Sequence, residues 1–266
     1  MKVTDFWDGI KLGNNHREAV CGMKFEVQEC ERLCKLYKKD HKEFFQEVLK
    51  KKENGLWFLW IYSHMACEVY DRYIEQGISP QVFWDTFLDI RFWCENGEKE
   101  FGTLGITEYE WFYRHIDMIL FRFGRLQFEK TEMDCSVVSE EYSLEKGREI
   151  INIHIAQGEP LIWEECEKSL EMAGKFFGKD KLYVCHSWLL YPGLEEVLNK
   201  TSNIKEFRRH FNVLQVDYKE REAEWRVFGK VLKSVAEYPE DTSLQKRVKR
   251  YLLSGKVLGN GWGVLV

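Results

Sequence analysis

The sequence predicts an α+β protein in which a helical N-terminal domain, residues 1–115, precedes a mixed-sheet domain, residues 116–266. Through about the first 120 positions, apolar residues recur at steps of three and four, the period of an amphipathic helix. From about residue 125 the pattern changes to alternation in twos, with helical segments between β-branched runs, which indicates strands. The chain has 266 residues, enough for two modest domains.

Four helices are predicted in the first domain, and their short connections predict a small antiparallel bundle. The first carries one apolar stripe over residues 27–48, and the second covers residues 56–76. Ser79-Pro80 predicts the start of the third, with serine as N-cap and proline at the first helical position. Thr107–Glu110 reads T-x-x-E, the capping-box pattern, and predicts the start of the fourth.

Strands are predicted in the second domain where β-branched and aromatic residues alternate or run together. These segments are 125–129, 133–138, 148–155 and 181–190, followed by a hairpin of 212–218 with 224–229. Helices are predicted between them at about 160–178, 192–200 and 242–253. The tail is predicted to be a glycine-rich turn and a final strand; its G-x-G-x-G follows a helix, so it is not a dinucleotide fingerprint.

The composition excludes several classes of function. The net charge is −5 and no basic block is present, so no nucleic-acid partner is expected. The most apolar run, residues 56–62, is too short to cross a bilayer, so no membrane association is expected. The eight cysteines lack CxxC spacing and no signal peptide precedes them, which predicts reduced thiols, no metal and a cytoplasmic location. No particular oligomeric state is predicted.

The stretch INIHIAQGEPL, residues 151–161, joins a strand to a helix through a tight polar turn. The first backbone N–H groups of a helix have no internal partner, and they favour an anion such as phosphate. Here they would point at the turn Ala156–Glu159. The alternative is that glutamates at 164, 165 and 167 already complement the helix dipole and that the turn serves packing alone.

Particular sequence segments and the order of elements resemble a known family. The segments are FRFGRLQFE (121–129), INIHIAQGEPL (151–161), CHSWLLYP (185–192), SNIKEF (202–207) and EWRVFG (224–229). They resemble the bacterial acyltransferase-domain proteins that pair a helical N-terminal domain with a GNAT-like C-terminal domain. The resemblance implies an N-acyltransferase that moves an acyl group from the co-substrate acyl-CoA to an unknown amine or other small acceptor. The alternative is a non-catalytic GNAT-like domain that binds a metabolite or a protein partner.

The resemblance also implies which residues bind and react. The strand 148–155 would pair with the pantetheine arm of CoA and would diverge from the strand 181–190. The cofactor-binding positions would lie at the end of that strand and in the turn: Ile155, Ala156, Gln157, Gly158 and Glu159. Tyr191 would lie near the following helix as the acid that protonates the departing thiolate.

Two histidines on the predicted strands have the chemistry of a general base. His154 shares a strand face with Asn152, and His186 shares one with Val184, so either imidazole could accept the proton of an amine. The alternative is that each is a hydrogen-bonded core residue. Cys185 points to the opposite face from His186, so the two are not a nucleophile–base pair.

Other polar side chains have a structural explanation that is favoured over a functional one. Glu129 and Arg125 are expected to be exposed or ion-paired, although they could reach an amine and a phosphate. His64 is expected to be hydrogen-bonded rather than to bind a metal with the acidic residues that follow it on the helix, because no Glu-x-x-His partner motif is present. The basic residues of 246–250 are expected to form a solvated face rather than to meet the CoA 3′-phosphate.

Overall fold

The computed structural model describes residues 1–138 and 143–266, and these residues form two compact units. The first unit comprises Met1–Phe123 with Ala156–Gly158, and the second comprises Gly124–Ile155 with Glu159–Val266. The first is mainly helical and the second is built on a mixed sheet, so the predicted α+β class is confirmed. The domain boundary between residues 115 and 116 remains a prediction.

The first unit contains helices followed by one short strand. Its two longest helices bury large aromatic side chains such as Phe58, Tyr62, Phe83 and Phe87, which form its core. The elements of this unit are α1 Val3–Gly9, α2 Asn14–Gly22, α3 Val27–Lys39, α4 His41–Leu49, α5 Asn54–Glu75, α6 Pro80–Phe101, α7 Tyr113–Ile116 and β1 Leu120–Phe123.

The predicted ends of the helices are confirmed at one position and wrong at another. The Ser79 side chain accepts a hydrogen bond from the Gln81 amide and Pro80 is the first helical residue, so this predicted helix start is confirmed. The predicted single helix over residues 27–48 is wrong. Asp40 is extended and caps α4 by accepting a hydrogen bond from the Glu43 amide, and a cap there starts a new helix.

The predicted fourth helix begins close to residue 107 but is much shorter than predicted, so the predicted four-helix bundle is wrong. Residues 109–112 form a 3₁₀ turn without a side-chain cap, so the predicted capping box is absent there. The short helix α7 ends at Ile116, and Met118 takes a positive φ of 58°, a conformation that no α-helix continues. The chain then extends into β1.

The second unit alternates strands and helices. Its strands are β2 Leu126–Glu132, β3 Val137–Val138, β4 Ser143–Leu144, β5 Glu149–Ile155, β6 Tyr183–Ser187, β7 Phe211–Asp217 and β8 Asn260–Leu265. Its helices are α8 Trp163–Phe177, α9 Leu194–Val197, α10 Asn203–Arg208, α11 Glu222–Phe228 and α12 Ser243–Leu253. In the main sheet β2 is followed by β5, β6, β8 and β7, and only β5 with β6 is parallel among these neighbours.

The parallel neighbours β5 and β6 pair over a very short stretch. Their register contains two residue pairs, Ile151 with Tyr183 and Asn152 with Val184. Both strands continue past this point, β5 to Ile155 and β6 to Ser187, but no pairing between them is described there. The opposite edge of β6 stays paired with β8 through Ser187. We call this separation of β5 from β6 beyond Asn152 the fork.

Three predicted elements of the second unit need correction. Residues 224–229 are not the second strand of a hairpin, because α11 covers them and β7 pairs with β8 instead. The strand predicted at 181–190 ends at Ser187, whose hydroxyl accepts a hydrogen bond from the Leu189 amide in a 3₁₀ turn. The helix predicted at 192–200 is only the single turn α9, and the strand predicted at 133–138 is only β3.

Candidate active site

Polar side chains share one face of the main sheet on both sides of the fork. Residues opposite each other in a register point to the same face, and alternate residues of a strand return to it. The register places Glu129 opposite Asn152, Asn152 opposite Val184, His186 opposite Trp262, and Asp217 opposite Asn260. His154 lies two residues after Asn152, so both predicted histidines lie on this face.

His186 forms a carboxylate–imidazole pair with Asp217. Its Nε2 lies 2.5 Å from Asp217 Oδ2, and its ring stacks on Trp262 with centroids 4.2 Å apart. The carboxylate accepts the Nε2 hydrogen, which fixes the ring orientation and the tautomer. Nδ1 has no hydrogen-bond partner among the described residues, and the imidazole is 29% exposed, so this nitrogen is available to take a proton.

His154 forms a second pair of the same kind with Glu129. Its Nε2 lies 2.8 Å from Glu129 Oε2 and 3.2 Å from the side-chain amide of Asn152. Glu129 is buried, contrary to the expectation that it is an exposed carboxylate. The imidazole of His154 is 23% exposed.

An open pocket of about 540 Å³ lies at the open end of the fork. Ile155 at the end of β5, Glu159 and Leu189 line it, together with residues 201–204. Arg125 also lines it and donates a hydrogen bond from Nε to the Pro160 carbonyl; it is buried, so the expectation that it lies on the surface is wrong. Two of the predicted cofactor-binding residues, Ile155 and Glu159, therefore lie together where the two strands have separated.

The other three predicted cofactor-binding residues, Ala156, Gln157 and Gly158, belong to the first unit. The amides of Gln157 and Asn96 bond to each other at 2.6 and 3.1 Å, so the Gln157 side chain is held by α6. Gly158 has a φ of +113°, and an added Cβ would lie 2.8 Å from the Phe92 ring. The turn therefore needs glycine at this position.

Tyr191 lies in a hydrophobic cluster with α9 and α12. Its hydroxyl donates a hydrogen bond to the Val257 carbonyl at 2.9 Å and lies 3.0 Å from the Tyr251 hydroxyl. Burial, with Tyr251 nearby, raises the pKa of Tyr191 to about 12. The structure thus places Tyr191 in a packed cluster, apart from the hydrogen bonds of both histidines, and its role as an acid remains a prediction.

The remaining candidates lie outside the site on the sheet face. The expectation that His64 is hydrogen-bonded is wrong at Nε2, which is buried without a hydrogen-bond partner among the described residues; the ring packs edge-on against Trp60 instead, and burial lowers the pKa of His64. The described residues contain no group of three metal-ligating side chains. In the basic cluster, Arg247 donates to the Val197 carbonyl and Lys249 to the Tyr238 carbonyl. All eight cysteines are free thiols, and Cys185 is buried. None of the helices in the described ranges has the length and apolar character needed to cross a bilayer.

Comparison with family models places the chain in a family. Residues 1–118 match the model described as N-acyltransferase N-terminal domain, and residues 120–265 match the GNAT-like C-terminal domain. The chain therefore belongs to the family of proteins with a GNAT-like C-terminal domain, here preceded by an N-acyltransferase N-terminal domain. The resemblance of the sequence segments to proteins with a GNAT-like C-terminal domain is confirmed. The comparison with curated proteins finds no match.

Solved structures share the fold. An acyltransferase in complex with decanoyl-CoA and teicoplanin is 20% identical to this chain, with a TM-score of 0.78 over 99% of this chain and 87% of that chain. An acyltransferase in complex with CoA and 10C-teicoplanin has the same identity, TM-score and coverage. A complex with decanoyl-CoA has 20% identity and a TM-score of 0.79, covering 99% of this chain and 86% of that chain. At this identity the likeness establishes the GNAT-like fold.

Proposed function

We propose that the protein is an acyltransferase that moves an acyl group from acyl-CoA to an amine or another small acceptor. One observation carries the proposal: β5 and β6 separate after two residue pairs, beside the His186–Asp217 pair on the same sheet face. The solved acyltransferases of the same fold, which hold decanoyl-CoA and teicoplanin, support the class of co-substrate and a small-molecule acceptor. We also propose a cytoplasmic location and a bacterial origin, as the sequence suggests.

The fork supplies a binding mode for the acyl-pantetheine arm. Beyond Asn152, the edge of β5 that faces β6 has backbone groups that are not used in pairing with that strand. An extended ligand binds such an edge by main-chain hydrogen bonds, as an added strand does. The pocket beside Ile155 and Glu159 then continues the path of the arm, and the turn Ala156–Glu159 is the proposed place of the pyrophosphate.

The proposed chemistry assigns the base to His186. Nδ1 of His186 takes a proton from the acceptor amine, whose nitrogen forms a bond to the thioester carbonyl carbon. The carbonyl π electrons move to oxygen, and they return when the C–S bond breaks and CoA leaves as a thiolate that takes up a proton. Asp217 is a positioning residue that stabilises the imidazolium formed in the first step. Tyr191 remains the proposed acid for that final protonation, and His154 remains the alternative base.

Binding and turnover test the proposal separately. Calorimetric titration with acetyl-, octanoyl- and decanoyl-CoA is expected to give saturable binding, and binding to the folded state is expected to raise the Tm. Release of CoA, followed by chromatography with amine acceptors or with water alone, measures turnover. His186→Ala is expected to keep acyl-CoA affinity and to lose at least about 100-fold in turnover, in the range of general base catalysis.

The possible results separate this proposal from its alternative. Absence of binding of every acyl-CoA would refute the proposed function. Binding without turnover in the wild type, unchanged by His186→Ala, would indicate instead the non-catalytic GNAT-like binding domain.

A further inference from the structure

We propose that Trp262 is a positioning residue for acyl transfer, whose indole face stabilises the imidazolium that forms when His186 accepts a proton. The inference rests on the proposed acyltransferase function and deepens it, because it names a second group that acts through the base. Three observations carry it: the stacking of the two rings, the burial of the indole, and the glycines that flank Trp262 in β8.

The rings of His186 and Trp262 lie face to face. The register pairs His186 of β6 with Trp262 of β8, so their side chains leave the sheet on the same face as direct neighbours. The ring centroids are 4.2 Å apart, and the two ring planes differ by 7°. The face of an indole carries partial negative charge and attracts a cation that lies within about 6 Å of the ring centroid. A protonated imidazole in this position is such a cation.

The indole is buried in an apolar cluster. Trp262 is 9% exposed, and the cluster that contains it includes buried Met133, Val137, Leu144 and Val184. This packing fixes the orientation of the indole and excludes water from its surroundings. The attraction between a cation and an aromatic face is stronger where water is excluded, because fewer solvent dipoles screen the charge. The stack is therefore expected to contribute more than a cation–π pair on the surface.

The glycines on either side of Trp262 hold its strand in place. Gly261 and Gly263 point to the face of the sheet opposite to that of Trp262. A Cβ at Gly261 would lie 2.8 Å from the Leu190 carbonyl oxygen, and one at Gly263 would lie 2.7 Å from Leu190 Cδ1. The glycines therefore let the 3₁₀ turn that follows β6 pack directly against β8. The G-x-G-x-G pattern of the sequence thus supports the strand that carries the indole.

Trp262 and Asp217 act on different parts of the imidazole. Asp217 accepts the hydrogen of Nε2 at the edge of the ring, whereas the indole covers one face of it. The imidazole of His186 is nevertheless 29% exposed, so an acceptor amine can approach Nδ1 while both partners stay in place.

The stacking acts on the charge that forms on His186. When Nδ1 takes the proton of the acceptor nitrogen, the ring becomes a cation, and its Nε2 hydrogen stays directed at Asp217. The indole face attracts this cation more strongly than it attracts the neutral ring, so it stabilises the transition state more than the ground state. The ring is neutral again once the proton has left. Trp262 is therefore expected to affect the rate of acyl transfer and not the affinity for acyl-CoA.

Trp262→Phe, compared with pentafluorophenylalanine at the same position, tests the role of the ring face. The two rings have nearly the same shape, but the fluorine atoms withdraw electrons and make the face electron-poor. Loss of a cation–π attraction corresponds to a rate decrease of about 2- to 30-fold. Trp262→Phe keeps a weaker attractive face and is expected to react within about threefold of the wild type, and the fluorinated ring at least about fivefold more slowly than Trp262→Phe.

The measurement is the rate of CoA release from decanoyl-CoA in a single turnover, with an amine acceptor or with water alone. The Kd for decanoyl-CoA from calorimetry is expected to change less than about twofold in both variants, because the indole acts on a charge that is absent before the reaction begins. A loss of packing alone would affect the two variants equally, since they fill the same space.

Trp225→Leu is the matched control. Trp225 also has a cation over its ring, Arg226 at 4.7 Å from the centroid, but it belongs to α11 and not to the sheet face of His186. This variant is expected to react at the rate of the wild type. If the fluorinated variant does not fold, Trp262→Leu, which has no aromatic face, is compared with Trp262→Phe in its place.

The results distinguish a failure of this inference from a failure of the proposed function. Equal rates for Trp262→Phe and the fluorinated ring, with a wild type that transfers the acyl group, would overturn the role of Trp262 and leave the proposed function intact. A loss of decanoyl-CoA binding in Trp262→Phe would overturn it equally, because the indole would then shape the binding site. A wild type that binds no acyl-CoA, or that releases no CoA, would overturn both.

Discussion

Asp217→Asn is expected to slow acyl transfer by about 10–100-fold without loss of acyl-CoA binding. The substitution keeps the shape of the side chain and removes the charge that faces His186 Nε2 at 2.5 Å. A hydrogen bond to a charged group contributes about 1.5–3 kcal/mol. It strengthens as the imidazole gains a proton, so most of it is lost from the transition state, and about 1.4 kcal/mol corresponds to a tenfold change in rate.

The assay is the single-turnover rate of CoA release from decanoyl-CoA with enzyme in excess, because product release does not enter that rate. The Kd from calorimetry reports whether the binding site is intact. Glu206→Gln is the matched control: it removes another carboxylate that faces an imidazole, that of His210 at 3.6 Å, on an exposed part of α10. The control is expected to react at the rate of the wild type.

An Asp217→Asn rate within threefold of the wild type would refute the assignment of His186 as the base. The same conclusion would follow if Glu206→Gln slowed the reaction as much as Asp217→Asn, because the effect would then not depend on the site. A loss of decanoyl-CoA binding in Asp217→Asn would show instead that the carboxylate shapes the binding site.

Two further predictions concern stability. Gly158→Ala is expected to lower the free energy of unfolding by about 1–3 kcal/mol, because φ is +113° and the new Cβ would lie 2.8 Å from Phe92; an unchanged Tm in thermal denaturation would contradict this. Arg32, with Lys51, holds the pKa of Glu29 at about 2, below its usual 4.5, and a lowered carboxyl pKa adds stability that is present above 4.5 and lost as pH falls toward 2. Glu29→Gln is therefore expected to lower the free energy of unfolding by about 1 kcal/mol at pH 7, after allowance for solvent screening, and by less as the pH falls toward 2. Chemical denaturation at pH 7 and in acid measures this difference between variant and wild type, and a difference that does not change with pH would contradict the prediction.

The elements that sequence reasoning predicted well are those whose local signals agree with their surroundings. The strand 148–155 is strongly β-branched and β5 occupies nearly the same residues. The serine–proline pair at the start of α6 satisfies a backbone donor locally, so it needs no help from the rest of the fold.

The wrong predictions arose where partners distant in sequence decide the structure. EWRVFG has strand-like residues, but it forms α11, in which buried Glu224 accepts hydrogen bonds from Arg221 and from the Tyr238 hydroxyl. β7 then pairs with the final strand of the chain rather than with its neighbour in sequence. Alternation of residue types does not identify the partner of a strand.

Sequence reasoning likewise identified some residues of the candidate site and missed others. His154 and His186 were found because histidines on apolar strands are conspicuous, and the register places both on one face. Asp217 was missed because β8 lies between its strand and that of His186, so the pair forms only after the end of the chain has entered the sheet.

A crystal structure with a non-hydrolysable decanoyl-CoA analogue tests the central claim most directly. The account predicts electron density for the pantetheine arm between β5 and β6, hydrogen-bonded to β5 beyond Asn152. An analogue that binds elsewhere while β5 and β6 close into a continuous pairing through Ile155 and Ser187 would contradict it.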